Sequence, residues 1–352
     1  MVGNMWKLCV CALALVATND LVGAQTQTLQ DGDDALMNGV TSAQIRAERE
    51  GVQKKVQPEQ GDKSQEVVFE NGLDQGFGGT YQFTRAIEYA EQMGEDPASR
   101  EAVTENISFT LRTASKGPGP DGIASVVASF ERFRARVETP DGPISVDFDL
   151  NADLPEDADT LSGLDAMLPA LKNASLQILV DANGNVTSIS GLPDVASVLG
   201  DDQGGAALFS VLEDQQFAVL FSKLFNAEGG VERTSTEDDA QAKTWSTVEE
   251  VGLGPSGSLI VTRSWVPRAL PSGELEARGT FAASVDAPAV VDEAAPTFTI
   301  GSYQGVSRLL WMNGGGLSYL NATETIALQW TLGAESMRTV QETVTTINRL
   351  EE

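Results

Sequence analysis

The stretch from Gly122 to Asp149 constrains the fold more than any other part of the chain, because apolar and polar residues alternate on both sides of a turn sequence. The turn is Thr139-Pro140-Asp141-Gly142, whose proline, aspartate and glycine are typical turn residues. A period of two is that of a β-strand, in which successive side chains point to opposite faces. The alternating apolar residues are Phe133, Ala135, Val137, Ile144, Val146 and Phe148. The stretch therefore predicts a long β-hairpin, and a chain built from such hairpins folds into antiparallel sheet.

Turn dipeptides recur in the second half of the chain in the same order as in the first. The matching dipeptides lie 130 to 135 residues apart. They are Asp121-Gly122 and Ser256-Gly257, Asp141-Gly142 and Ser272-Gly273, and Asn183-Gly184 and Asn313-Gly314. Ordered recurrence at a nearly constant displacement is typical of internal duplication. We therefore predict an α+β fold with two similar antiparallel β-sheet halves, each able to curve into a half-barrel, bridged by helices.

Composition divides the chain into five predicted segments. Residues 1–24 carry Lys7, a short apolar run and the small residues Val22-Gly23-Ala24, which are typical of a secretory signal peptide. A membrane anchor is the alternative, but the run is about half as long as a bilayer span. The other segments are a flexible N-terminal arm (25–65), a first β-rich half (66–192), a helical connection with a mobile linker (193–242) and a second β-rich half (243–352). The predicted localisation is secreted or periplasmic, with no transmembrane segment after signal cleavage.

Helical spacing interrupts the strand pattern in three places. Leucines predict a short amphipathic helix from Thr160 to Lys172, capped by Thr160. Within Pro193 to Phe225 an apolar stripe predicts a helix that either packs on a sheet as core or covers a ligand groove as a lid. That stripe consists of Phe217, Leu220, Phe221 and Leu224. Residues Met337 to Ile347 also have helical spacing, but their threonines favour a strand, and we predict an edge strand.

Two absences restrict the chemistry of the mature chain. The sequence has no histidine, and its two cysteines, Cys9 and Cys11, lie in the predicted signal peptide. Disulfides, zinc sites and catalytic triads that use imidazole or thiol are therefore excluded, and no cofactor is predicted. The formal net charge of −28 at pH 7 makes nucleic acid and anionic lipid surfaces poor partners. Such a charge suits a soluble exported protein or a cation-binding one.

Three groups of residues are candidates for a site. An acidic loop has oxygen ligands at alternating positions, and its calcium candidates are Asp147, Asp149, Asp153 and Asp157. The loop lacks the central glycine and the terminal glutamate of a calcium-binding helix-loop-helix, so a solvated acidic loop is the alternative. The ligand-binding candidates are aromatic, and they are Trp245, Trp265, Trp311, Trp330, Phe217 and Phe221. These residues suit an apolar cavity or a sugar-stacking surface, and they equally suit a sheet core.

Glycoside hydrolysis is the third possibility, because it needs two carboxylates and neither histidine nor cysteine. No pair stands out among the 51 acidic residues of the chain. We therefore assign no catalytic residue from the sequence.

The chain from Val67 to its C-terminus resembles a domain-of-unknown-function family of exported bacterial proteins. The resemblance rests on SFERFRARVETPDGPISVDFD, a proline-broken acidic stretch, a leucine-rich helix and LQILVDANGNVTSISG. The chain departs from the pattern at Asp149-Leu150-Asn151 and by insertions at Glu228 to Ala242 and Asp286 to Pro296. The resemblance implies an envelope or extracellular address and no enzymatic activity, and it supplies no catalytic residues.

These observations together predict an exported, non-enzymatic protein. It would bind an unknown ligand or envelope component through an apolar groove between sheet and helices. The alternatives are a carboxylate-dependent glycoside hydrolase and a calcium-stabilised structural module.

Overall fold

The computed structural model describes residues 73–94, 101–139, 142–153, 163–200, 209–229, 244–252, 258–286, 297–313, 315–332 and 335–351. The predicted signal peptide and N-terminal arm lie outside these residues, as do most of the predicted linker, the Thr160 cap and the calcium candidate Asp157.

The described part of the chain forms one antiparallel sheet of twelve strands. The strands are β1 (Gly78–Met93), β2 (Glu101–Pro118), β3 (Ala124–Thr139), β4 (Gly142–Asp149), β5 (Ser175–Val180), β6 (Val186–Ser190), β7 (Trp245–Gly252), β8 (Ser258–Ala269), β9 (Leu275–Asp286), β10 (Thr297–Trp311), β11 (Leu317–Leu332) and β12 (Glu335–Leu350). Their order is β6-β5-β3-β2-β1-β12-β11-β10-β9-β8-β7, with β4 beside β3. Most neighbours in this order are also consecutive in the chain, which is the result of repeated hairpins.

The prediction of an α+β fold with two separate sheet halves is wrong, because the two halves share one sheet. Strand β12 pairs with β1 through fourteen consecutive residue pairs, from Thr80 with Leu350 to Met93 with Met337. The other edge of β12 pairs with β11. The C-terminal segment is thus a strand, as predicted, but a central one and not an edge strand. The mainly β fold follows from this pairing, and the helices lie on the sheet and do not bridge two sheets.

The predicted hairpins are confirmed. Strand β3 pairs with β4 in the register Phe133 with Phe148, and the N-terminal part of β3, residues 124–129, pairs with β5. The turn between β5 and β6 is closed by Asp181, whose Oδ1 accepts hydrogen bonds from the backbone N–H groups of Asn183 (2.9 Å) and Asn185 (2.8 Å). Gly184 in this turn has a φ of 86°, which explains why glycine follows asparagine here.

Three α-helices are described: α1 (Leu164–Asn173), α2 (Val195–Leu199) and α3 (Asp214–Asn226), with 3-10 turns at Ser210–Leu212 and Ala227–Gly229. Helix α1 confirms the predicted leucine-rich helix, since Leu164, Met167, Leu168 and Leu171 are all buried. The apolar stripe of α3 is also buried. We call the face of the sheet that the helices cover the inner face; it carries Tyr81 and Phe83 of β1, Phe109 of β2 and Phe133 of β3.

The sheet curls around its inner face. Leu259 and Val261 of β8 form one buried cluster with Ile326 and Leu328 of β11, and we call this the second cluster. Adjacent strands lie about 4.8 Å apart, so β8 and β11 would be roughly 14 Å apart in a flat sheet. Their contact therefore requires that the strands between them, β9 and β10, bend.

Glycines on the inner face accommodate two large rings at this bend. A Cβ at Gly305 of β10 would lie 2.2 Å from Cδ2 of Phe281, and one at Gly279 of β9 would lie 2.9 Å from the indole of Trp265. Real Cβ atoms do not approach other atoms this closely, so glycine is required for the rings to come this near to the backbone.

We expect Gly305→Ala to destabilise the protein by about 1–3 kcal/mol, because Phe281 must leave its position or the strand must shift. Gly301→Ala in the same strand is the matched control, since the nearest heavy atom to its new Cβ is a carbonyl oxygen at 3.5 Å. Urea unfolding of both variants measures the difference. Equal stability of the two variants would contradict the packing of Phe281 over β10.

Candidate functional site

A small hollow lies between the inner face and helix α3, and we call it the seam. Its apolar lining comes from Phe83, Ile107 and Phe109 of the sheet and from Val211, Val219 and Leu220 of the helical segment. Four polar residues also contribute to its lining, and we call them the rim: Thr84, Arg85, Lys223 and Thr345. The volume of the seam is about 20 Å³, which is room for about one water molecule.

Aromatic rings stack beside the seam, where α3 meets the sheet. The ring of Phe109 lies 5.1 Å from that of Phe83 and 6.1 Å from that of Phe217, both in stacked arrangements. Phe217 in turn stacks on Phe221 at 5.8 Å along the helix. Both predicted ligand-binding phenylalanines are thus buried where α3 meets the sheet. The helix therefore packs directly on the sheet in this conformation.

Each of the two cations at the rim has a carboxylate neighbour. Lys223 of α3 forms an ion pair with Glu228, which is itself buried. Arg85 of β1 is 8% exposed and faces Glu105 of β2, its diagonal neighbour on the inner face. Burial raises the pKa of Glu105 to about 7, and the nearby Arg85 guanidinium limits the rise. Burial also lowers the pKa of Arg85.

Further polar groups continue from the rim across the inner face. We call Arg85, Glu105, Arg263, Glu324, Gln341 and Thr343 the polar belt. Nη2 of Arg263 lies 3.6 Å from Oε1 of Glu324, and the hydroxyl of Tyr303 donates a 2.8 Å hydrogen bond to the same carboxylate. Gln341 donates a 3.0 Å hydrogen bond to Thr343.

The belt separates the seam from the second cluster, strand by strand. In β8 the inner-face residues run from Trp265 through Arg263 to Val261, and in β11 Glu324 precedes Ile326. Sequence reasoning missed these residues. The alternation of side chains along the strand was the available signal. Arg85 lies on the same strand face as Tyr81 and Phe83, so the alternation already places it on the inner face.

The structure does not bring the four predicted tryptophans to one site. Trp245 and Trp265 stack at 6.0 Å with an interplanar angle of 13°, and Phe281 meets Trp265 edge to face. Trp311 is buried in the same large core, whereas Trp330 lies beside Met337 at the other end of the sheet. All four are at most 9% exposed, so they serve as packing residues in this conformation.

The described calcium candidates are Asp147 and Asp149 of the edge strand β4 and Asp153, which follows it. Both carboxylate oxygens of Asp147 accept hydrogen bonds from Arg132, at 2.6 and 2.7 Å, and Arg134 lies 3.1 Å away. Asp149 accepts a hydrogen bond from the backbone N–H of Asn151, and Asp153 is exposed. The described residues contain no group of three or more acidic, histidine or cysteine side chains placed to hold a metal ion.

A calcium ion that binds only the folded state raises the melting temperature, and a chelator that removes it lowers the melting temperature again. We expect no calcium site here, so chelator should leave the melting temperature of the full chain unchanged within about 1 °C. The physical reason is that the hydrogen bonds from Arg132, which also lower the pKa of Asp147 to about 2, occupy both of its carboxylate oxygens. Differential scanning fluorimetry with EDTA and with added calcium tests this. A melting temperature that falls with EDTA and returns with calcium would establish the calcium-stabilised alternative.

Glu105 gives the protein a pH-dependent stability. Because its pKa rises from 4.5 to about 7 on folding, its contribution is complete below pH 4.5 and is lost as the pH rises through 7. We expect Glu105→Gln, measured against the wild type by urea unfolding, to become relatively more stable by roughly 3 kcal/mol across this window. The control is Glu138→Gln, which changes an exposed carboxylate. A constant difference between wild type and Glu105→Gln at all pH values would contradict the burial of Glu105.

Comparison with known proteins gives no family. No family model matches the chain, and no curated protein matches it. A lipovitellin structure on lipid–protein interactions is 10% identical with a TM-score of 0.38, covering 79% of this chain and 25% of lipovitellin. DynF from the dynemicin biosynthesis pathway of Micromonospora chersina is 8% identical with a TM-score of 0.22, covering 84% and 92%. The outer membrane protein OprG of Pseudomonas aeruginosa is 6% identical with a TM-score of 0.15, covering 80% and 99%.

The chain spans about a quarter of the length of the lipovitellin chain. Similarities with TM-scores this low carry no conclusion about function. Among the described helices, none has both the length and the apolar character that crossing a membrane requires.

Proposed function

We propose that the protein is an exported, non-enzymatic binding protein that holds an apolar guest between the inner face of its sheet and helix α3. The seam is the observation that carries this proposal. Within it, three apolar side chains of the sheet face three of the helical segment, and the polar groups stand at the rim. Ligand sites in proteins have this composition: an apolar lining with a few polar groups that fix orientation.

Guest entry requires α3 to move away from the sheet, since the closed seam has room for about one water molecule. Hydrogen bonds hold the C-terminal part of α3 to the β5–β6 hairpin. The backbone N–H of Val186 donates to Ser222 (3.0 Å), and the side chain of Asn226 donates to Asn185 (2.8 Å). On the side of the seam, Val219 and Lys223 are only half-buried. One side of α3 is therefore held by hydrogen bonds to the hairpin, and the side at the seam is held by apolar contacts. We expect the helix to move away from the sheet on the seam side.

The predicted secretory signal peptide and the resemblance to exported proteins support the proposed address, secreted or periplasmic. The glycoside hydrolase alternative needs two carboxylates across a cleft. No described carboxylate lines the seam, and Glu105, the acid beside it with a pKa of about 7, has an arginine as its charged neighbour. These observations favour binding over hydrolysis at this place.

Enlarging the seam should strengthen the binding of an apolar probe. Leu220 lines the seam, so Leu220→Ala adds space there, and we expect tighter binding of the uncharged dye N-phenylnaphthylamine, measured by fluorescence titration. The matched control is Leu328→Ala, which truncates another buried leucine, in the second cluster. Both substitutions should cost roughly 2–5 kcal/mol of stability.

The control separates a specific site from general loosening of the fold. Wild-type protein that binds no dye would overturn the proposal. Equal gains in dye binding by Leu220→Ala and Leu328→Ala would also overturn it, because the dye would then report destabilisation and not the seam.

A further inference from the structure

The two ends of the strand order meet at one helical segment. Strands β6 and β7 are the first and last in that order, and both are bonded to α3 or to the 3-10 turn that follows it. The backbone N–H of Val186, the first residue of β6, donates to Oγ of Ser222 at 3.0 Å. Nε1 of Trp245, the first residue of β7, donates to the backbone carbonyl of Glu228 at 2.9 Å. The helical segment therefore joins the two edges of the curled sheet.

The backbone at the contact with β7 is strained. Ala227 has a φ of 45° and a ψ of 42°, and Glu228 has a φ of 54° and a ψ of 43°. The left-handed region brings Cβ too close to the following carbonyl oxygen, which is why glycine usually occupies it. Among the described residues with positive φ, eleven are glycines and these two alone are not. Strained residues persist only where the surrounding structure holds them, and they cluster at switch regions and ligand clamps.

Two polar contacts hold Glu228 in this conformation. Its carboxylate is paired with the ammonium of Lys223, and both side chains are largely buried. Its carbonyl accepts the hydrogen bond from Trp245, whose indole stacks on that of Trp265 in β8. Lys223 also lines the seam, so the contacts run from the seam through Glu228 to the second half of the sheet. We call Lys223, Ala227, Glu228 and Trp245 the clasp.

We infer that the clasp keeps α3 closed on the seam, and that its release from β7 is the step that opens the site. The meaning of this opening rests on the proposed binding function, whereas the clasp itself is a property of the fold. Loss of the Trp245 hydrogen bond frees the strained residues to relax, and Lys223 moves with Glu228. The hydrogen bonds of Ser222 and Asn226 to the β5–β6 hairpin remain and act as the hinge.

Strain and contacts act in opposite directions in this device. The left-handed backbone at Ala227 and Glu228 favours release, whereas the hydrogen bond and the ion pair oppose it. Opening at the clasp therefore costs less than breaking the same contacts at an unstrained helix end. Such a balance gives α3 a local opening equilibrium that is separate from unfolding of the sheet.

Hydrogen exchange followed by mass spectrometry tests the inference on the full chain. Trp245→Phe removes the indole N–H and keeps an aromatic ring in the stack with Trp265. The amides of the central strand β12 report opening of the whole fold, so the protection of α3 and β7 is measured relative to theirs. We expect Trp245→Phe to lower this relative protection about tenfold, as the loss of one buried hydrogen bond gives.

Trp265→Phe is the matched control. Both indoles are buried in the same stack, but Nε1 of Trp265 has no hydrogen-bond partner among the described residues. This variant should leave the protection of α3 relative to β12 unchanged. An equal loss of α3 protection in both variants would overturn the inference, because lost packing and not the clasp would then open the helix.

A double-mutant cycle tests whether the two contacts of Glu228 act together. Glu228→Gln weakens the ion pair with Lys223 and keeps the backbone carbonyl that Trp245 contacts. Because both contacts hold the same strained residue, loss of one weakens the other. The double variant with Trp245→Phe should therefore lose less α3 protection than the product of the two single losses. Independent effects of the two substitutions would contradict a common clasp.

The rate of dye association connects the clasp with binding. If α3 opens before N-phenylnaphthylamine enters, Trp245→Phe should speed up its association in stopped-flow fluorescence by about the same factor as it lowers α3 protection. Association that is equally fast in Trp245→Phe and Trp265→Phe would overturn the inference and leave the apolar site in place. Absence of dye binding would overturn the proposed function, and the exchange experiment would still decide whether the clasp holds α3.

Discussion

The pairing of β12 with β1 is the constraint on which the rest of the structure depends. Fourteen consecutive residue pairs join strands from opposite ends of the described chain. Without this ladder each half would present a long unpaired edge, which is a template for aggregation. The ladder also builds the seam, because it places Thr345 opposite Arg85 and Ile347 opposite Phe83. One antiparallel contact therefore fixes both the continuity of the sheet and the polar rim of the candidate site.

Local features of the fold could be predicted from the sequence, whereas this long-range pairing could not. The β3–β4 and β5–β6 hairpins follow from alternation and turn residues, which act over a few neighbouring positions. The stripe of α3 follows from the helical period in the same way. Strand β12 carries threonines on both faces, and neither its period nor its composition indicates that both of its edges are paired. The same hairpins can build either two sheets or one. The prediction of two halves therefore agreed with each hairpin but was wrong about how the hairpins join.

The arrangement of side chains around the seam could not be predicted from the sequence for a related reason. The sequence analysis named the tryptophans as ligand-binding candidates. In the structure, Trp265 fills the space above Gly279 in a bent sheet. The charged residues of the rim were overlooked because each is unremarkable in its own strand. Arg85 and Glu105 become a pair only when β1 and β2 align, and Lys223 reaches the same hollow only when α3 packs on both strands. The alternation along β1 alone does indicate that Arg85 lies on the inner face. An arginine on the same strand face as aromatic residues was the most informative signal in the sequence.

The polar belt is difficult to explain by stability alone. Buried ion pairs seldom stabilise a fold more than well-packed apolar residues of the same size, so a continuous apolar inner face would be expected if stability were the sole requirement. The belt instead divides that face into a part covered by helices and a part that packs on itself in the second cluster. Charged residues at fixed inner positions also penalise a one-residue slip in register, which would exchange the two faces of a strand. The seam lies where the belt meets α3. Apolar side chains and buried charged groups therefore lie next to each other under the helix, and removal of the helix would expose both. A helix in that position covers the sheet through its phenylalanines, so a guest that enters the seam has to replace those contacts.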